Sequence, residues 1–137
     1  MGMKTNILFA MISAGLLAWP SAALAKAPIE GHWVNPKGSV TVRIGACGPA
    51  YCGTVIDAST KAKATARKGG TSSLIGTQVM SDFRPRGDGT FRGRAFDPKR
   101  NIRAPATIRM IGNSTLVVRG CVISGIICKE QRWTKVG

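Results

Sequence analysis

Val40-Thr41-Val42-Arg43-Ile44 alternates apolar and polar side chains with a period of two. Such alternation is typical of a β-strand that buries one face and exposes the other. Gly, Cys and Pro follow in the short segment 45–50, and a β-branched run then extends from Tyr51 to Ile56. Because Gly and Pro favour turns, the segment 40–56 predicts two antiparallel strands joined by a turn, and it places the chain among β proteins.

The rest of the chain repeats this arrangement of short strands separated by turns. Turn residues cluster at Pro85 to Gly89 and at Gly112-Asn113, and the segments between such clusters predict further strands. These segments are residues 74–83, 90–96, 106–111, 115–122 and 126–136. This series of short strands predicts an all-β barrel or sandwich. Residues 57–70 interleave Ala with basic residues and lack an apolar face, so we interpret them as an exposed basic loop with at most one helical turn.

Residues 1–25 have the three-part pattern of a cleaved secretory signal. Lys4 gives the positive start, residues 7–19 are mostly apolar, and Ala23-Leu24-Ala25 places small residues before a cleavage point at Lys26. The apolar run is shorter than the roughly 18 residues of a membrane-spanning helix, which argues against a membrane anchor. We therefore expect one exported domain at residues 26–137, periplasmic or secreted, with no transmembrane span after cleavage.

The four cysteines, Cys47, Cys52, Cys121 and Cys128, all follow the predicted signal. An even number of cysteines in an exported chain predicts two disulfide bonds, although three pairings are open. Turn residues separate Cys47 from Cys52, and Ser124-Gly125 lies midway between the other two, so pairing within each couple is the simplest arrangement. A zinc site is the alternative, but only the first couple has the close spacing that zinc sites use.

Carboxylates and histidine, the usual proton-transfer groups of enzymes, are scarce in this chain. It has six Asp and Glu residues and one histidine, His32, with no neighbouring residues that indicate a catalytic triad. Asp82 and Asp97 suggest an acid pair, but both also occupy positions typical of turns and strand ends. The chain has no nucleotide-binding glycine loop and no nucleophile motif. We therefore expect a protein without enzymatic activity, cofactor or metal site.

Basic residues dominate the charge of the chain. The 20 Lys and Arg residues give a net charge of +14, or +13 once Lys4 leaves with the signal. Such charge attracts polyanions, and since an exported protein rarely meets nucleic acid, the expected partners are anionic lipid, lipopolysaccharide or cell-wall polymer. A basic surface that only maintains solubility is the alternative. The candidate anion-binding residues are Lys61, Lys63, Arg67, Lys68, Arg84, Arg86, Arg92, Arg94, Lys99, Arg100 and Arg103.

Two tryptophan motifs stand near the start and the end of the predicted domain. They are Gly31-His32-Trp33 and Arg132-Trp133. In small closed barrels an aromatic ring of the first strand packs under an arginine of a late strand and seals one end, with a cation–π contact between them. We expect Trp33 and Arg132 to form such a contact, in a structural role rather than in a ligand site.

Several motifs along the predicted domain together resemble one known family. They are Gly31-His32-Trp33-Val34-Asn35-Pro36, Val40-Thr41-Val42-Arg43-Ile44, Cys47-Gly48 with Tyr51-Cys52-Gly53-Thr54-Val55, Leu74-Ile75-Gly76, Phe96-Asp97-Pro98, Leu116-Val117-Val118-Arg119-Gly120-Cys121 and Gln131-Arg132-Trp133-Thr134-Lys135-Val136. In order and spacing they resemble the bacterial secreted family named domain of unknown function 2147. The resemblance implies an antiparallel up-and-down β-barrel of about eight strands, lipocalin-like in shape, with no established enzymatic activity and no catalytic residues to carry over.

The chain departs from the family pattern in two loops. After Asp97-Pro98 the family tends to continue with an acidic residue, a glycine and an aromatic residue, whereas this chain has Lys99, Arg100, Asn101 and Ala104. The loop after the second strand, where relatives carry Asn-Pro-Asp-type residues, is the basic run 61–68 here. If either loop contributes to the rim of a ligand site, the preference of this protein differs from that of its relatives.

The leading functional hypothesis is an exported, non-enzymatic barrel that binds a small apolar or amphipathic ligand. Barrels of about eight strands are just wide enough to enclose one small ligand. The candidate lining residues are Trp33, Val42, Ile44, Val55, Met80, Phe83, Phe91 and Val118; their alternative role is to fill the barrel as a core. The alternative function is an envelope-interaction module whose basic face docks on anionic lipid, lipopolysaccharide or cell-wall polymer.

Overall fold

The chain folds into a closed antiparallel barrel in which each strand pairs with its neighbours in sequence. The computed structural model describes residues 2, 14–16, 27–122 and 125–137. The strands are β1 (Gly31–Val34), β2 (Val40–Cys47), β3 (Ala50–Ala58), β4 (Gln78–Pro85), β5 (Thr90–Asp97), β6 (Ile102–Ile111), β7 (Thr115–Val122) and β8 (Ile127–Lys135). The predicted up-and-down barrel is confirmed. The predicted signal, residues 1–25, lies outside the described residues apart from 2 and 14–16.

Apolar side chains from alternate strand positions fill the interior of the barrel. In β2, Val42 and Ile44 are buried while Arg43 between them is exposed, as the alternation predicts. The largest fully buried side chains are Trp33, Phe83, Ile29, Ile108, Leu116, Val42 and Val55. Burial of an aliphatic or phenyl side chain stabilises by about 1.5–3 kcal/mol, so this core is the main force that closes the barrel. Among the described residues, no helix has the length and apolarity needed to cross a bilayer.

Residues 57–70 differ from the predicted loop because they contain a nine-residue helix, α1 (Thr60–Lys68). The Ser59 hydroxyl accepts a hydrogen bond from the Ala62 amide at 3.1 Å and caps the start of the helix. Ala62 and Ala66 lie one turn apart and pack on the barrel core, where Ala66 is buried. The prediction of a loop is wrong because small alanines, rather than large apolar residues, form the buried face.

β4 begins later than the apolar stretch 74–83 suggests. Leu74 to Thr77 form a turn in which the Thr77 amide donates to the Leu74 carbonyl at 3.0 Å. Leu74 is nevertheless buried and belongs to the core. The apolar character of residue 74 therefore reflects packing of the segment that joins α1 to β4, not a strand.

β1 and β8 close the barrel through a short junction that places Trp33 opposite Lys135. The Trp33 Nε1 donates to the Ile29 carbonyl at 2.9 Å, and the Lys135 Nζ lies 5.5 Å from the centroid of the Trp33 ring. The expected cation–π contact therefore forms with Lys135, and the expectation for Arg132 is wrong. The register decides this outcome, because Lys135 stands opposite Trp33 while Arg132 lies farther along β8 and is exposed.

Both disulfide bonds join the cysteines within each couple, as predicted. Cys47–Cys52 closes the tip of the β2–β3 hairpin, and Cys121–Cys128 links directly opposite positions of β7 and β8. Each bond closes a loop of only a few residues, so the loop-entropy contribution is roughly 2 kcal/mol for each. The two bonds therefore hold hairpin ends rather than join distant parts of the barrel.

Candidate functional site

Four arginines line a groove on the outer face of β4 and β5. Arg84 lies near the end of β4, Arg86 lies in the turn that follows, and Arg92 and Arg94 belong to β5. We call this feature the arginine groove. It has a volume of about 470 Å³ and is completed by Asp82, Pro85, Gly93 and Pro105. The fold thus brings four of the predicted anion-binding residues into one site.

The strand register places two of these arginines directly opposite each other. Arg84 pairs with Arg92 across β4 and β5, whereas Arg94 stands opposite Ser81. Like charges in directly opposite positions of adjacent strands destabilise a sheet. Both side chains are exposed, so packing of the core does not require arginine at either position. An anion bound between them would convert this repulsion into attraction.

A bulge in β4 brings the arginines to these positions. The register shifts between Ser81 and Arg84, and Asp82 takes a left-handed backbone conformation with a φ of 56°. Gly93 approaches the bulge so closely that a Cβ atom there would lie 2.6 Å from the Ser81 carbonyl oxygen and 2.7 Å from Cγ of Phe83. Glycine permits this approach, and bulges re-aim side chains next to functional sites.

Asp82 neutralises only part of the charge in the arginine groove. Its Oδ1 accepts from the Arg84 Nε at 2.9 Å, and more than half of each side chain is exposed. Within residues 27–122 and 125–137, no other carboxylate lies within 4.0 Å of a groove arginine. Four arginines and one aspartate leave a net charge of +3. Asp82 therefore orients Arg84 while the groove as a whole remains positively charged.

The remaining predicted cations lie beyond the other end of β5, around α1. Gly69 caps α1 and packs against the β5–β6 turn, because a Cβ atom there would lie 2.4 Å from the carbonyl oxygens of Pro98 and Lys99. The last turn of α1 therefore adjoins the β5–β6 turn. We call the basic residues of α1, the β5–β6 turn and the start of β6 the helix-end cluster, which comprises Lys61, Lys63, Arg67, Lys68, Lys99, Arg100 and Arg103.

Two members of the helix-end cluster already have partners within the protein. The Arg100 Nη1 lies 2.7 Å from the Asp97 Oδ2. The Arg103 guanidinium lies over the Phe96 ring, 4.4 Å from its centroid. These contacts give both arginines a structural role. The candidate anion-binding residues thus divide into a compact groove and a separate, partly paired cluster.

Two arginines absent from the sequence-based candidates lie on the same outer face of the sheet. Arg109 of β6 stands opposite Thr90 of β5, and Arg119 of β7 stands opposite Thr107 of β6. Both are exposed and extend the arginine-rich face from β4 across to β7. A sequence signal existed for Arg109, because its even spacing from Arg103 puts both side chains on one face of a strand.

The predicted ligand-lining residues belong to the barrel core or pack against it. Seven of them have an exposed fraction of 8% or less, namely Trp33, Val42, Ile44, Val55, Met80, Phe83 and Val118. Trp33 and Val42 have an exposed fraction of 0%, so no space large enough for water adjoins them. Phe91 is half-buried and meets Tyr51 edge to face, with the ring centroids 5.7 Å apart. Among the eight, Phe91 offers the most accessible apolar surface.

The residues considered for catalysis do not lie together in one site. His32 is exposed on β1, Asp82 pairs with Arg84, and Asp97 pairs with Arg100. Gly93 faces the bulge that contains Asp82, and Asp97 lies farther along β5, roughly 13 Å away at the rise of a strand. The two carboxylates share no cleft, so the arrangement does not support an acid pair.

Comparison with known proteins agrees with this architecture. A family model described as "Uncharacterized protein conserved in bacteria (DUF2147)" matches residues 31–135. No curated protein matches the chain. Among solved structures, the chain is similar to the one described as "Protein HP1028 from the human pathogen Helicobacter pylori belongs to the lipocalin family", with a TM-score of 0.62 and 15% identity over 79% of this chain and 82% of that chain. The chain therefore belongs to the bacterial DUF2147 family and has a lipocalin-like fold.

Proposed function

We propose that this protein is an exported, non-enzymatic binding protein that holds a phosphate-bearing component of the bacterial envelope in the arginine groove. The observation that carries the proposal is the direct opposition of Arg84 and Arg92, with Arg86 and Arg94 beside them. In the absence of an anion the opposed guanidinium groups repel each other. A bound phosphate accepts charge-assisted hydrogen bonds from both and removes that repulsion.

The residue type in the groove supports phosphate as the ligand group. All four cations of the groove are arginine, whereas lysine predominates in α1. The planar guanidinium presents paired donors that match the oxygens of a phosphate, while a lysine ammonium acts as a point charge. The groove is open to solvent, so a phosphate carried on a larger molecule can reach the arginines from outside the barrel.

Binding to lipid vesicles tests this proposal. The protein should bind vesicles that contain phosphatidylglycerol, should not bind vesicles of phosphatidylcholine alone, and should dissociate as salt screens the charges. Replacement of Arg84 and Arg92 together by Gln should weaken binding about thirtyfold, because each arginine near an anionic surface contributes about 1 kcal/mol. Soluble glycerol phosphate should compete if the groove recognises the phosphate group itself.

A matched control separates a specific groove from a generally basic surface. Lys61→Gln with Lys63→Gln removes the same charge from α1 and should change vesicle binding little. Loss of opposed charges should leave the Arg84→Gln, Arg92→Gln protein at least as stable to heat as the parent protein, so weaker binding would not reflect unfolding. Equal losses in the two double variants, or binding that salt does not weaken, would refute the proposal.

Export is part of the proposal. The two disulfide bonds and the signal pattern of residues 1–25 support an oxidising compartment. The mature protein recovered from a bacterial host should begin at Lys26, in the periplasmic or secreted fraction. Recovery of the intact chain from the cytoplasm would contradict this part.

The second candidate function is binding of a small apolar or amphipathic ligand inside the barrel. Its support is the half-buried pair of Tyr51 and Phe91 on a fold similar to that of a lipocalin-family protein. Because Trp33 and Val42 are fully buried, a ligand would enter beside Phe91 and displace side chains rather than fill an open cavity. The proposed lining residues remain the eight candidates, namely Trp33, Val42, Ile44, Val55, Met80, Phe83, Phe91 and Val118.

A neutral fluorescent probe tests this second candidate without interference from the basic surface. N-phenyl-1-naphthylamine should bind saturably, and Phe91→Ala should change its affinity, while the exposed-site variant Lys61→Gln should not. Native mass spectrometry of gently purified protein should show a co-purifying ligand. Absence of both probe binding and a co-purifying ligand would reject this function and leave the arginine groove unaffected.

A further inference from the structure

β8 has an open edge along most of its length. β1 pairs with β8 at two positions only, Trp33 with Lys135 and Val34 with Thr134. On its other side β8 pairs with β7 throughout, from Thr134 back to Ile127. Among the described residues, no strand pairs with residues 127–133 on the β1 side. An open strand edge is a template for pairing with another chain.

Hydrogen-bonded and non-hydrogen-bonded pairs alternate along β7 and β8, and this alternation shows which backbone groups of β8 face the open edge. The Cα atoms of Cys121 and Cys128 lie 4.0 Å apart, a separation that marks a non-hydrogen-bonded pair. The backbone groups of Cys128, and by the alternation those of Glu130 and Arg132, therefore point away from β7 to the open edge. The Val136 amide agrees with this alternation, since it donates to the His32 carbonyl of β1.

The charges along the edge make it complementary to itself. Glu130 is the one acidic residue of β8 and lies two positions before Arg132. Both are exposed. Arg119 of β7 stands opposite Glu130, but no basic nitrogen of the described residues lies within 4.0 Å of the Glu130 carboxylate. Charged side chains, above all lysine, usually keep exposed edges apart, whereas this edge carries one acidic and one basic side chain two positions apart on the same face.

We infer that β8 pairs antiparallel with β8 of a second copy of this chain, around a twofold axis at Gln131. In this register Glu130 stands opposite the partner's Arg132, and Arg132 opposite the partner's Glu130. Both positions have backbone groups directed to the open edge, so each forms a hydrogen-bonded pair that also places opposite charges together. A homodimer with twofold symmetry is the commonest closed assembly.

The charges on β8 favour a twofold axis at Gln131 over an axis at Glu130. An axis at Glu130 would place the two Glu130 carboxylates opposite each other, which destabilises a strand pair. The paired segment is short, because the junction with β1 begins at Thr134. A contact of this length lies at the small end of specific interfaces, so the dimer forms in a concentration-dependent manner.

Sedimentation equilibrium over a series of protein concentrations tests this inference. The parent protein should show a monomer–dimer equilibrium. Glu130→Arg and Arg132→Glu should each weaken the dimer about tenfold, because each replaces two attractive cross-strand pairs by repulsive ones. The double variant that exchanges the two charges should restore the parent dissociation constant, a result that partial unfolding would not produce.

The control is Lys61→Glu on α1, which reverses an exposed charge that is not on β8 and should leave the dimer unchanged. Circular dichroism of each variant should match that of the parent protein. A parent protein that remains monomeric at all concentrations would overturn the inference. Failure of the double exchange to restore dimerisation would overturn it as well.

Discussion

Single residues on β4 and β5 determine the geometry of the arginine groove. The left-handed conformation of Asp82 allows the bulge, and its carboxylate orients Arg84. Gly93 allows β5 to approach that bulge without a side chain in the way. The position of Arg84 opposite Arg92 therefore depends on Gly93, which is uncharged, and on Asp82, the one acidic residue of the groove.

Gly93→Ala should destabilise the barrel and disturb the arginine groove. The new methyl group would lie within 2.8 Å of Phe83 and of the Ser81 carbonyl oxygen, and such overpacking costs about 1–3 kcal/mol. Urea unfolding measures the loss. Gly45→Ala is the control, because no atom lies within 4 Å of a Cβ at that position and little change is expected. Equal stability of the two variants would contradict the role given to Gly93.

The ionisation of Asp88 in the β4–β5 turn depends on hydrogen bonds from Thr90. A hydrogen bond from the Thr90 hydroxyl, followed by one from the Thr90 amide, lowers the pKa of Asp88 below its ordinary value of 3.8. Because its pKa is lowered, the ionised Asp88 carboxylate stabilises the folded turn at pH values above 3.8. This stabilisation is lost as the pH falls through the lowered pKa.

Thr90→Val should raise the pKa of Asp88 towards its ordinary value, because it removes the hydroxyl donor. Thr90→Ser keeps a hydroxyl and should keep the pKa low. Nuclear magnetic resonance of the carboxyl carbons during an acid titration measures both values. An identical Asp88 titration in the two variants would show that the hydroxyl does not act as described.

At the scale of elements, α1 is a helix maintained by its ends and by two alanines. Ser59 caps the start, Gly69 ends the helix against the β5–β6 turn, and Ala62 and Ala66 pack on the core. Arg67 and Lys68 lie in the last turn, where their positive charges interact favourably with the negative end of the helix dipole. The helix therefore combines a structural role with display of part of the helix-end cluster.

Ser59→Ala should destabilise α1 by about 1 kcal/mol, because the Ala62 amide loses its capping acceptor. Hydrogen exchange of the α1 amides should become faster, while exchange in β6 and β7 should not change. Ser59→Asp retains an acceptor and should preserve protection. If the α1 amides exchange at the same rate in the Ser59→Ala and Ser59→Asp variants, the side chain at position 59 does not stabilise the helix.

The elements that the sequence predicts are those whose signal is local. The alternation of Val42, Arg43 and Ile44 identifies β2 because burial of one strand face acts on residues close in sequence. Local patterns do not predict α1, because the face formed by Ala62 and Ala66 is buried only when the helix packs against the barrel. Pairing of Cys47 with Cys52 is predictable for the same local reason, since a turn separates them.

At the scale of the whole molecule, the excess of 20 basic over six acidic residues is distributed unevenly. The barrel buries apolar side chains and shows no buried charged residue among those described. The exposed arginines of β4 to β7 lie on one outer face of the sheet, and four lysines, Lys61, Lys63, Lys68 and Lys99, lie in or beside α1. The groove itself was only partly predictable, because the opposition of Arg84 and Arg92 results from a bulge whose position the sequence does not reveal.

Binding of phosphate in the arginine groove can be measured by titrating the protein with glycerol phosphate and following the side-chain Nε–Hε signals of its arginines. We predict saturable shifts at Arg84, Arg92 and Arg94, with little change at Arg67 and Arg100 of the helix-end cluster. Shifts that are larger at the helix-end cluster, or small and unsaturated at every arginine, would contradict the assignment of the arginine groove as the binding site.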